Sequence, residues 1–499
     1  MRKKVVIIGS GIGGLATAAI LGKKGYSVEV IEKNKSLGGR CNILKKKGFT
    51  FDMGPSWYLM PDVFEHFYKL LDEEVKDHLK LLKLSPSYRI FFSNKNAPID
   101  IYSQLEKNRK TFESFEKGSM EKIKNYLSTA EMQYKIAIES FMYKNYNTVL
   151  DFFTFDLMTK GSKLSVLETM NSYVSKRFDS DEMRKILMYQ LVFLGASPYN
   201  TPALYNIMSH IDFNMGVFYP MGGMYEIVKS LVNIGKKWGV TYHTSMPVSK
   251  IIIEDKIATG VKTKKGTISA DIVISNADIH HTEISLLPLE YQTYKKNYWE
   301  KKTMAPSTFL LYLGLNTKVK NLKHHNLYFS SDWKKNFSEI FDHPQLPSDP
   351  SIYVCCPSIS DATVAPKGKE NLFVLVPIAP GLKMTQIQIQ KYKDKIYAFL
   401  EEKMGIKDIK NLIEVEEFFS VENFETEYNS YKGSALGLAH TLNQTAIFRP
   451  NNKSKKVKNL FYVGGNTNPG IGVPICLISA ELVYKRISNI NSPHPLKSL

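Results

Sequence analysis

The sequence has few cysteines and no long apolar run. Its four cysteines are Cys41, Cys355, Cys356 and Cys476, and none forms a C-x-x-C pair. A disulfide framework or a zinc site of the usual spacing is therefore not expected, and a reducing cytosol is the natural compartment.

No uninterrupted stretch of about eighteen apolar residues occurs, so we predict no transmembrane helix and, at most, peripheral contact with a membrane.

Arginine is scarce compared with lysine, although the formal net charge is +18. Bidentate recognition of phosphates and base edges favours arginine, and the chain carries no nucleic-acid motif, so we expect no nucleic acid as a partner. The lysine excess fits either a solvated surface or weak attraction to anionic lipid.

The length and the balance of residue types indicate a folded enzyme-sized protein. The chain has 499 residues, of which 43% are hydrophobic and 23% are charged. These values are ordinary for globular proteins and predict two or three domains with a large core.

The amino terminus carries a dinucleotide-binding signature. An apolar strand at residues 5–8 leads into glycines and then into a helix over residues 15–21. Gly9 permits the tight turn, Gly11 lets the backbone approach a pyrophosphate, and Gly14 lets the helix pack close to the strand, with Gly13 between them.

A second predicted strand at residues 27–31 ends in Glu32, where a ribose hydroxyl needs an acceptor. An acidic residue there disfavours a 2′-phosphate, and so disfavours NADP. The run from Lys33 to Gly38-Gly39-Arg40 is similar to that of flavoproteins of the glutathione-reductase-like and amine-oxidase-like group. This resemblance implies that Lys33, Gly38, Gly39 and Arg40 contact FAD.

The carboxyl-terminal part carries a second glycine-rich turn. A predicted strand ends in Gly464-Gly465, and the segment Asn468–Pro474 then precedes a predicted helix over residues 475–483. A strand, a glycine turn and a helix amino terminus together favour an anion, and reduced flavin carries negative charge.

The middle of the chain has a different character. Residues 140–164 mix aromatic side chains with lysine, which is typical of either an interfacial amphipathic helix or a plain helical cap. Residues 309–314 predict a core strand. The adjacent pairs His280-His281 and His324-His325 would face opposite sides of a strand, so we treat all four as non-ligands and expect no metal site.

Both ends together resemble the carotenoid desaturase family typified by bacterial phytoene desaturase. The matching segments include Gly9–Gly14, Gly38–Arg40, Phe51–Ser56, Phe218–Met224 and Asn468–Pro474. The resemblance implies an α/β protein: a discontinuous Rossmann-like FAD-binding domain, with a mixed α+β substrate domain and a helical membrane-facing cap. The implied FAD domain comprises residues 1–70, 213–280 and 424–499. The implied substrate-binding and membrane-associating domain comprises residues 71–212 and 281–423.

The resemblance also implies site residues. Those predicted to bind FAD are Gly9, Gly11, Gly13, Gly14, Glu32, Lys33, Gly38, Gly39, Arg40, Gly54, Pro55, Ser56, Val248, Gly464, Gly465, Gly470, Gly472, Val473 and Pro474. Gly222, Gly223 and Met224 are predicted to face the flavin and the substrate. The sequence identifies no catalytic residue, because an apolar substrate offers no charged group to recognise.

The resemblance implies desaturation of phytoene or a related carotenoid precursor, by hydride transfer from an allylic carbon to FAD. It further implies a cytoplasmic protein on the inner face of the cell membrane, with a quinone or dioxygen as electron acceptor. Many desaturases have His-Pro-Gly where this chain has Asn468-Pro469-Gly470. A carotenoid end-group oxygenase or oxidase is therefore one alternative. A non-catalytic isoprenoid-binding escort protein is another.

Overall fold

The architecture combines a parallel nucleotide-type sheet with a larger mixed sheet. The computed structural model describes residues 2–146 and 168–499. Its helices are Ile12–Lys23, Pro61–Leu70, Val75–His78, Arg109–Phe115, Ser119–Ala137, Met170–Ser175, Asp181–Met188, Ile207–His210, Tyr225–Lys237, Ile279–His281, Lys296–Glu300, Trp333–Phe341, Gln386–Met404, Ile409–Leu412, Val421–Tyr428 and Val473–Ile487.

The first sheet has five parallel strands drawn from distant parts of the chain. In spatial order they are Leu460–Tyr462, Ile272–Ser275, Lys4–Ile8, Ser27–Ile31 and Thr241–His243. Sequence-distant strands come together because parallel strands need crossover connections, which the intervening helices supply.

Both faces of this sheet are covered, which explains the unbroken apolar run at residues 5–8. Val5 and Ile7 face the cluster formed with helices Ile12–Lys23, Tyr225–Lys237 and Val473–Ile487. Val6 and Ile8 face a cluster on the opposite side, beneath a three-stranded antiparallel sheet. The strands of that smaller sheet are Val248–Glu254, Ile257–Thr263 and Gly266–Ser269.

The larger sheet has seven strands, antiparallel except for one parallel pair, His325–Phe329 with Tyr88–Phe92. In spatial order they are Ile413–Phe419, Ser307–Leu315, Glu370–Ile378, Ile352–Cys355, His325–Phe329, Tyr88–Phe92 and Ile99–Ile101. The core strand predicted at residues 309–314 is confirmed as part of Ser307–Leu315, in which every residue is buried.

The seven-stranded sheet separates two cores. Phe309, Leu311 and Leu313 pack toward the outer helix Gln386–Met404. Leu310 and Tyr312 point the opposite way, because successive strand side chains alternate, and join an aromatic-rich cluster. There are also two small antiparallel sheets of two strands each. One is the hairpin of Ile43–Lys46 with Phe49–Asp52, and the other pairs Leu81–Lys83 with Phe218–Pro220.

Candidate active site at a cavity between the sheets

The predicted nucleotide signature forms a tight turn between the first strand and the first helix. Gly9 has a φ of +90°, a conformation that L side chains rarely adopt. A Cβ on Gly11 would lie 2.6 Å from Asn276 Oδ1, and one on Gly14 would lie 2.4 Å from the Gly9 carbonyl oxygen. The tight turn at Gly9 and the close helix packing at Gly14 agree with the sequence prediction, and the approach of Gly11 to a pyrophosphate stays a prediction.

The amino-terminal and carboxyl-terminal glycine segments meet. A Cβ on Gly13 would lie 3.1 Å from the Cα of Gly464, and Asn276 Nδ2 donates a hydrogen bond to the Val463 carbonyl 2.9 Å away. Two motifs that are about 450 residues apart in the sequence therefore form one wall.

A cavity of about 840 Å³ lies against this wall. Most of the predicted FAD-binding residues line it. They are Gly9, Gly11, Gly13, Glu32, Lys33, Gly38, Gly39, Arg40, Gly54, Pro55, Ser56, Val248, Gly464, Gly465, Gly472, Val473 and Pro474. The structure therefore brings together residues from all three stretches of the predicted FAD domain.

Glu32 is buried at the end of its strand. One carboxylate oxygen accepts hydrogen bonds from the Ser10 backbone N–H at 2.9 Å and the Ser10 hydroxyl at 2.7 Å, and the other accepts from the Asn34 N–H at 2.9 Å. A carboxylate has about four acceptor positions, so a ribose hydroxyl can still be accommodated.

Arg40 suits an anionic ligand. One terminal nitrogen donates to the Ser430 hydroxyl at 3.0 Å, but none of the residues that the structure describes accepts a hydrogen bond from its buried Nε. A buried guanidinium N–H without an acceptor is costly, and a pyrophosphate oxygen would satisfy it. The residues present therefore fit the phosphate part of a dinucleotide.

Five predicted site residues do not line the cavity. Gly14 packs the helix on the strand, and a Cβ on Gly470 would lie 2.3 Å from the imidazole of His440. Gly222, Gly223 and Met224 also lie outside the lining. The contact of these three residues with flavin and substrate stays a prediction.

The segment Gly222–Met224 binds two carboxylates, those of Asp52 and Asp361. Asp52 accepts hydrogen bonds from the backbone N–H groups of Met224 at 2.8 Å and Tyr225 at 3.2 Å, and Asp361 accepts one from Gly222 at 2.6 Å. Burial raises the pKa of Asp52 to about 7. The glycines are needed because a Cβ on Gly223 would lie 2.9 Å from the Asp52 carboxylate.

The rest of the cavity is apolar and aromatic. Its wall there comes from the inner face of the seven-stranded sheet and from the neighbouring helices. The aromatic and aliphatic residues include Tyr189, Leu310, Leu327, Phe329, Trp333, Phe337, Phe373 and Leu375. One continuous cavity therefore joins the nucleotide-type wall to a surface that suits a hydrocarbon.

His440 is a cavity residue that the sequence did not single out. Its Nε2 accepts a hydrogen bond from the Ile471 N–H at 3.2 Å, and its Nδ1 lies 2.5 Å from the Tyr205 hydroxyl. Because Nε2 is an acceptor, the neutral ring carries its proton on Nδ1 and donates it to Tyr205. A histidine thus contacts the turn in which Asn468 replaces the histidine of many desaturases.

Neither histidine pair has the predicted arrangement. His280 and His281 lie on the helical turn Ile279–His281. His324 precedes the strand that begins at His325, so their rings do not face opposite sides and their centroids are 4.5 Å apart. One ring nitrogen of His324, one ring nitrogen of His325 and the Cys355 sulfur lie within 4.8 Å of one another, which the sequence did not predict.

The predicted interfacial segment at residues 140–164 lies mostly outside the described residues. Of its described members, Phe141 and Lys144 line the cavity, and Tyr143 and Tyr146 are buried. Across residues 2–146 and 168–499, no helix combines the length and the apolar character needed to cross a membrane.

Comparisons with known proteins address the family directly. The profile for flavin-containing amine oxidoreductases matches residues 12–487. A carotenoid 3,4-desaturase from Haloarcula japonica is 46% identical over 479 residues, covering 96% of each chain. A zeta-carotene-forming phytoene desaturase from Myxococcus xanthus is 34% identical over 490 residues, covering 97% of this chain and 94% of the relative.

The chain belongs to the carotenoid desaturases of the flavin-containing amine oxidoreductase family. It is an FAD-dependent oxidoreductase, as the sequence predicted. FAD supplies the two-electron oxidant in such enzymes. Membership of an enzyme family also argues against the escort-protein alternative.

Solved structures confirm the fold class. An oxidoreductase from Methanosarcina mazei aligns with a TM-score of 0.60 at 18% identity, covering 97% of this chain and 100% of the other. A putrescine oxidase variant aligns with a TM-score of 0.63 at 15% identity, covering 98% of both chains. At these identities the likeness shows the α/β flavoprotein fold and nothing about the substrate.

Proposed function

We propose that the protein desaturates phytoene or a related carotenoid precursor, passing a hydride from an allylic carbon to FAD. The supporting observation is the single cavity that joins a nucleotide-type wall to an aromatic and aliphatic wall. An extended hydrocarbon in the apolar part would reach the end of the cavity lined by Gly54, Pro55 and Ser56.

The chain's own residues have three tasks in this proposal. Arg40 and the Gly9–Gly13 turn bind the phosphates, the helix that begins at Val473 stabilises negative charge on the cofactor, and the aromatic wall excludes water and aligns the substrate. Because the substrate is uncharged, the rate would come chiefly from positioning and from the dry surroundings of the reacting carbons.

A second substrate candidate follows from the 46% identical relative, which is named a carotenoid 3,4-desaturase. We propose as this alternative a ready-made carotenoid that is desaturated near its end. Oxygenation of an end group on the same scaffold is a third outcome, for which the Asn468-Pro469-Gly470 segment is the motivation.

We also propose that the protein works on the inner face of the cell membrane and passes electrons to a quinone or to dioxygen. An exposed apolar pair supports membrane contact: Leu442 is 49% exposed and Phe448 is 55% exposed. They flank Thr445, which lines the cavity. A membrane surface at this position would deliver a lipid-like substrate directly to the cavity.

Expression in two hosts that supply different hydrocarbons tests the substrate. One host makes phytoene and a second makes a ready-made acyclic carotene, and each receives the wild-type gene or a Gly11→Val variant, whose side chain would collide with Asn276. More unsaturated product from phytoene supports the first proposal. Product only from the carotene supports the alternative, oxygenated product supports an oxidase, and no change in either host contradicts the desaturase proposal.

A further inference from the structure

Hydrogen-bonding side chains lead from the cavity wall to a buried histidine. Ser56 Oγ lies 2.7 Å from Tyr353 Oη, and Tyr353 Oη lies 2.8 Å from His325 Nδ1. Ser56 and Tyr353 line the cavity, whereas His325 lies behind them. We propose that Tyr353 takes the proton released during desaturation and passes its own hydroxyl proton to His325. This inference rests on the proposed desaturase function.

Strand pairing places these groups together. Tyr353 and Cys355 are two residues apart on the strand Ile352–Cys355, so they share one face. The neighbouring antiparallel strand sets His325 directly opposite Cys355 and Leu327 opposite Tyr353. The histidine and the tyrosine therefore lie diagonally across the strand pair, on the face that meets the cavity.

The imidazole is held in one orientation. Trp57 stacks on the His325 ring with centroids 4.2 Å apart and planes 9° from parallel. His325 is fully buried, and Tyr353 is the only hydrogen-bond partner that the described residues give to its ring nitrogens. A fixed ring with its one bonded nitrogen facing a cavity hydroxyl is suited to proton transfer.

The resting protonation states fit this direction of transfer. Burial holds the pKa of His325 well below its usual value and the pKa of Tyr353 well above its usual value. The imidazole is thus neutral and the phenol protonated. With the imidazole proton on Nε2, Nδ1 offers a lone pair to the Tyr353 O–H.

Atoms and electrons balance through this pair. One allylic C–H bond breaks with both electrons leaving as hydride to the flavin, which is the oxidant. A neighbouring C–H bond gives up its proton to Tyr353 Oη, and its electron pair becomes the new carbon–carbon double bond. Tyr353 simultaneously gives its proton to His325 Nδ1. The imidazolium then returns this proton by the same path, and water takes it up after the product leaves.

A weak base is sufficient for this step. Loss of hydride leaves an electron-poor allylic carbon, and this makes the neighbouring C–H bond strongly acidic. A histidine with a depressed pKa can therefore accept the proton and can also release it again between turnovers.

Two other candidate proton acceptors at the cavity, His440 and Asp278, are already engaged. His440 uses both nitrogens for Ile471 and Tyr205. Asp278 accepts hydrogen bonds from the Asn466 side chain at 2.9 Å and from the His280 backbone N–H at 2.9 Å. The Tyr353–His325 pair differs because its acceptor nitrogen is reached only through a hydroxyl on the cavity wall.

A Tyr353→Phe variant of the FAD-loaded protein tests the inference. Phenylalanine keeps the ring packing but removes the hydroxyl. Anaerobic flavin reduction is followed with the hydrocarbon that the wild type desaturates, supplied in liposomes. We expect the first-order rate at saturation to fall by about 100-fold or more. The substrate concentration for half-maximal rate, the FAD content and the flavin spectrum should stay unchanged.

An isotope effect separates a proton-transfer role from a packing role. With substrate deuterated at the proton-losing carbon, the isotope effect should be larger in Tyr353→Phe than in the wild type, because proton loss becomes limiting. The matched control is Tyr397→Phe, which removes a buried hydroxyl that donates to Glu416 outside the cavity and should retain the wild-type rate and isotope effect. If Tyr353→Phe does not fold, His325→Gln is measured in the same way.

Three results would overturn the inference. A rate within about threefold of the wild type is too small for loss of a proton acceptor. An unchanged isotope effect in a slow variant would indicate packing. The third result is one equivalent of tightly bound metal that is lost in Cys355→Ser. Such a metal would take His325 Nε2 as a ligand. Nδ1 of His325 would then carry the ring proton and could not accept another. If none of the carotenoids tested reduces the flavin of the wild-type protein, that result contradicts the proposed function itself.

Discussion

At the scale of single residues, the glycines of the nucleotide motif are the clearest link between sequence and structure. Two of them have a local reason that needs no knowledge of the fold: a positive φ at Gly9 and the Gly9 carbonyl within contact distance of Gly14. Gly11 and Gly13 instead lie against the distant residues Asn276 and Gly464. Local reasons of this kind can be predicted from the sequence because the strand, turn and helix that impose them are contiguous.

Tyr353 and His325 could not be predicted in this way. They are 28 residues apart, on strands whose pairing register is fixed by the seven-stranded sheet as a whole. The sequence placed His324 and His325 on one strand, where their side chains would face opposite sides. In the structure the strand begins at His325, so His324 lies outside it and the alternation does not apply. Non-local pairing, not residue type, creates this site.

Arg40 provides a test of the cofactor wall. In an Arg40→Gln variant the buried guanidinium is lost, and we expect FAD affinity to fall by about 10- to 100-fold, the range for a charged hydrogen bond. Equilibrium dialysis or fluorescence titration of the apoprotein with FAD measures this. Arg109→Gln is the control, because Arg109 forms an exposed ion pair with Glu106. Equal affinity in both variants would contradict the assignment of Arg40.

Asp52 makes stability depend on pH. Burial raises its pKa from 3.8 to about 7, and the nearby carboxylates of Glu226 and Asp361 act in the same direction. The folded state therefore binds this proton more tightly than the unfolded state, and stability falls as pH rises between the two values, by at most about 4 kcal/mol.

An Asp52→Asn variant removes this dependence. The difference between the thermal midpoint of the variant and that of the wild type should increase by a few degrees from about pH 5 to about pH 8, because only the wild type loses stability over this range. Differential scanning fluorimetry over this range measures both proteins. A constant difference between the two midpoints would show that Asp52 does not titrate as described.

At the scale of elements, the strand–turn–helix units at both ends could be predicted, whereas the carboxylate partners of the segment Phe218–Met224 could not. The sequence indicated that a glycine pair there approaches flavin. In the structure it approaches the Asp52 and Asp361 carboxylates, which belong to the hairpin Ile43–Asp52 and to a loop after residue 355. A glycine pattern indicates close approach, but it does not identify the partner.

The carboxyl-terminal helix Val473–Ile487 is held by a buried charge pair. Lys485 Nζ lies 3.2 Å from Glu481 Oε1, and both side chains are at most 1% exposed. Lys485 also donates to the carbonyls of Tyr143 at 2.9 Å and His494 at 2.6 Å. This lysine therefore ties the helix to two other segments of the chain.

Replacing Lys485 with methionine should destabilise the protein by about 3 kcal/mol, because Glu481 would lose its buried lysine partner. His66, whose Nε2 lies 2.7 Å from Glu481 Oε2, would remain beside the carboxylate. The matched control is Lys410→Met, which breaks an exposed pair with Asp394 and should cost less than about 1 kcal/mol. Urea unfolding followed by tryptophan fluorescence compares the variants. Similar midpoints for the two would contradict a structural role for the buried pair.

At the scale of the whole molecule, the sequence predicted the discontinuous assembly through resemblance. The five-stranded sheet does draw its strands from residues 4–31, 241–275 and 460–462. The domain boundaries themselves stay a prediction. The sequence could not predict that the inner face of the seven-stranded sheet forms a wall of the cavity, because this wall depends on how the two sheets pack on each other.

Membrane contact can be tested on the intact protein. Replacing both Leu442 and Phe448 with serine should reduce flotation with anionic liposomes several-fold, because exposed apolar side chains beside the cavity would no longer insert. The control replaces Leu289 and Ile387, which are 64% and 70% exposed and do not line the cavity. Equal flotation of both double variants would place the membrane contact elsewhere.

The most direct test of the desaturase account is a single-turnover reaction of the purified, FAD-loaded protein. Phytoene and, separately, a ready-made carotene are supplied in liposomes without oxygen, and the flavin absorbance and the extracted hydrocarbon are followed together. The account predicts that flavin colour is lost as one of them loses two hydrogen atoms per flavin and gains no oxygen. A flavin that stays oxidised with both, or an oxygenated product, would contradict it.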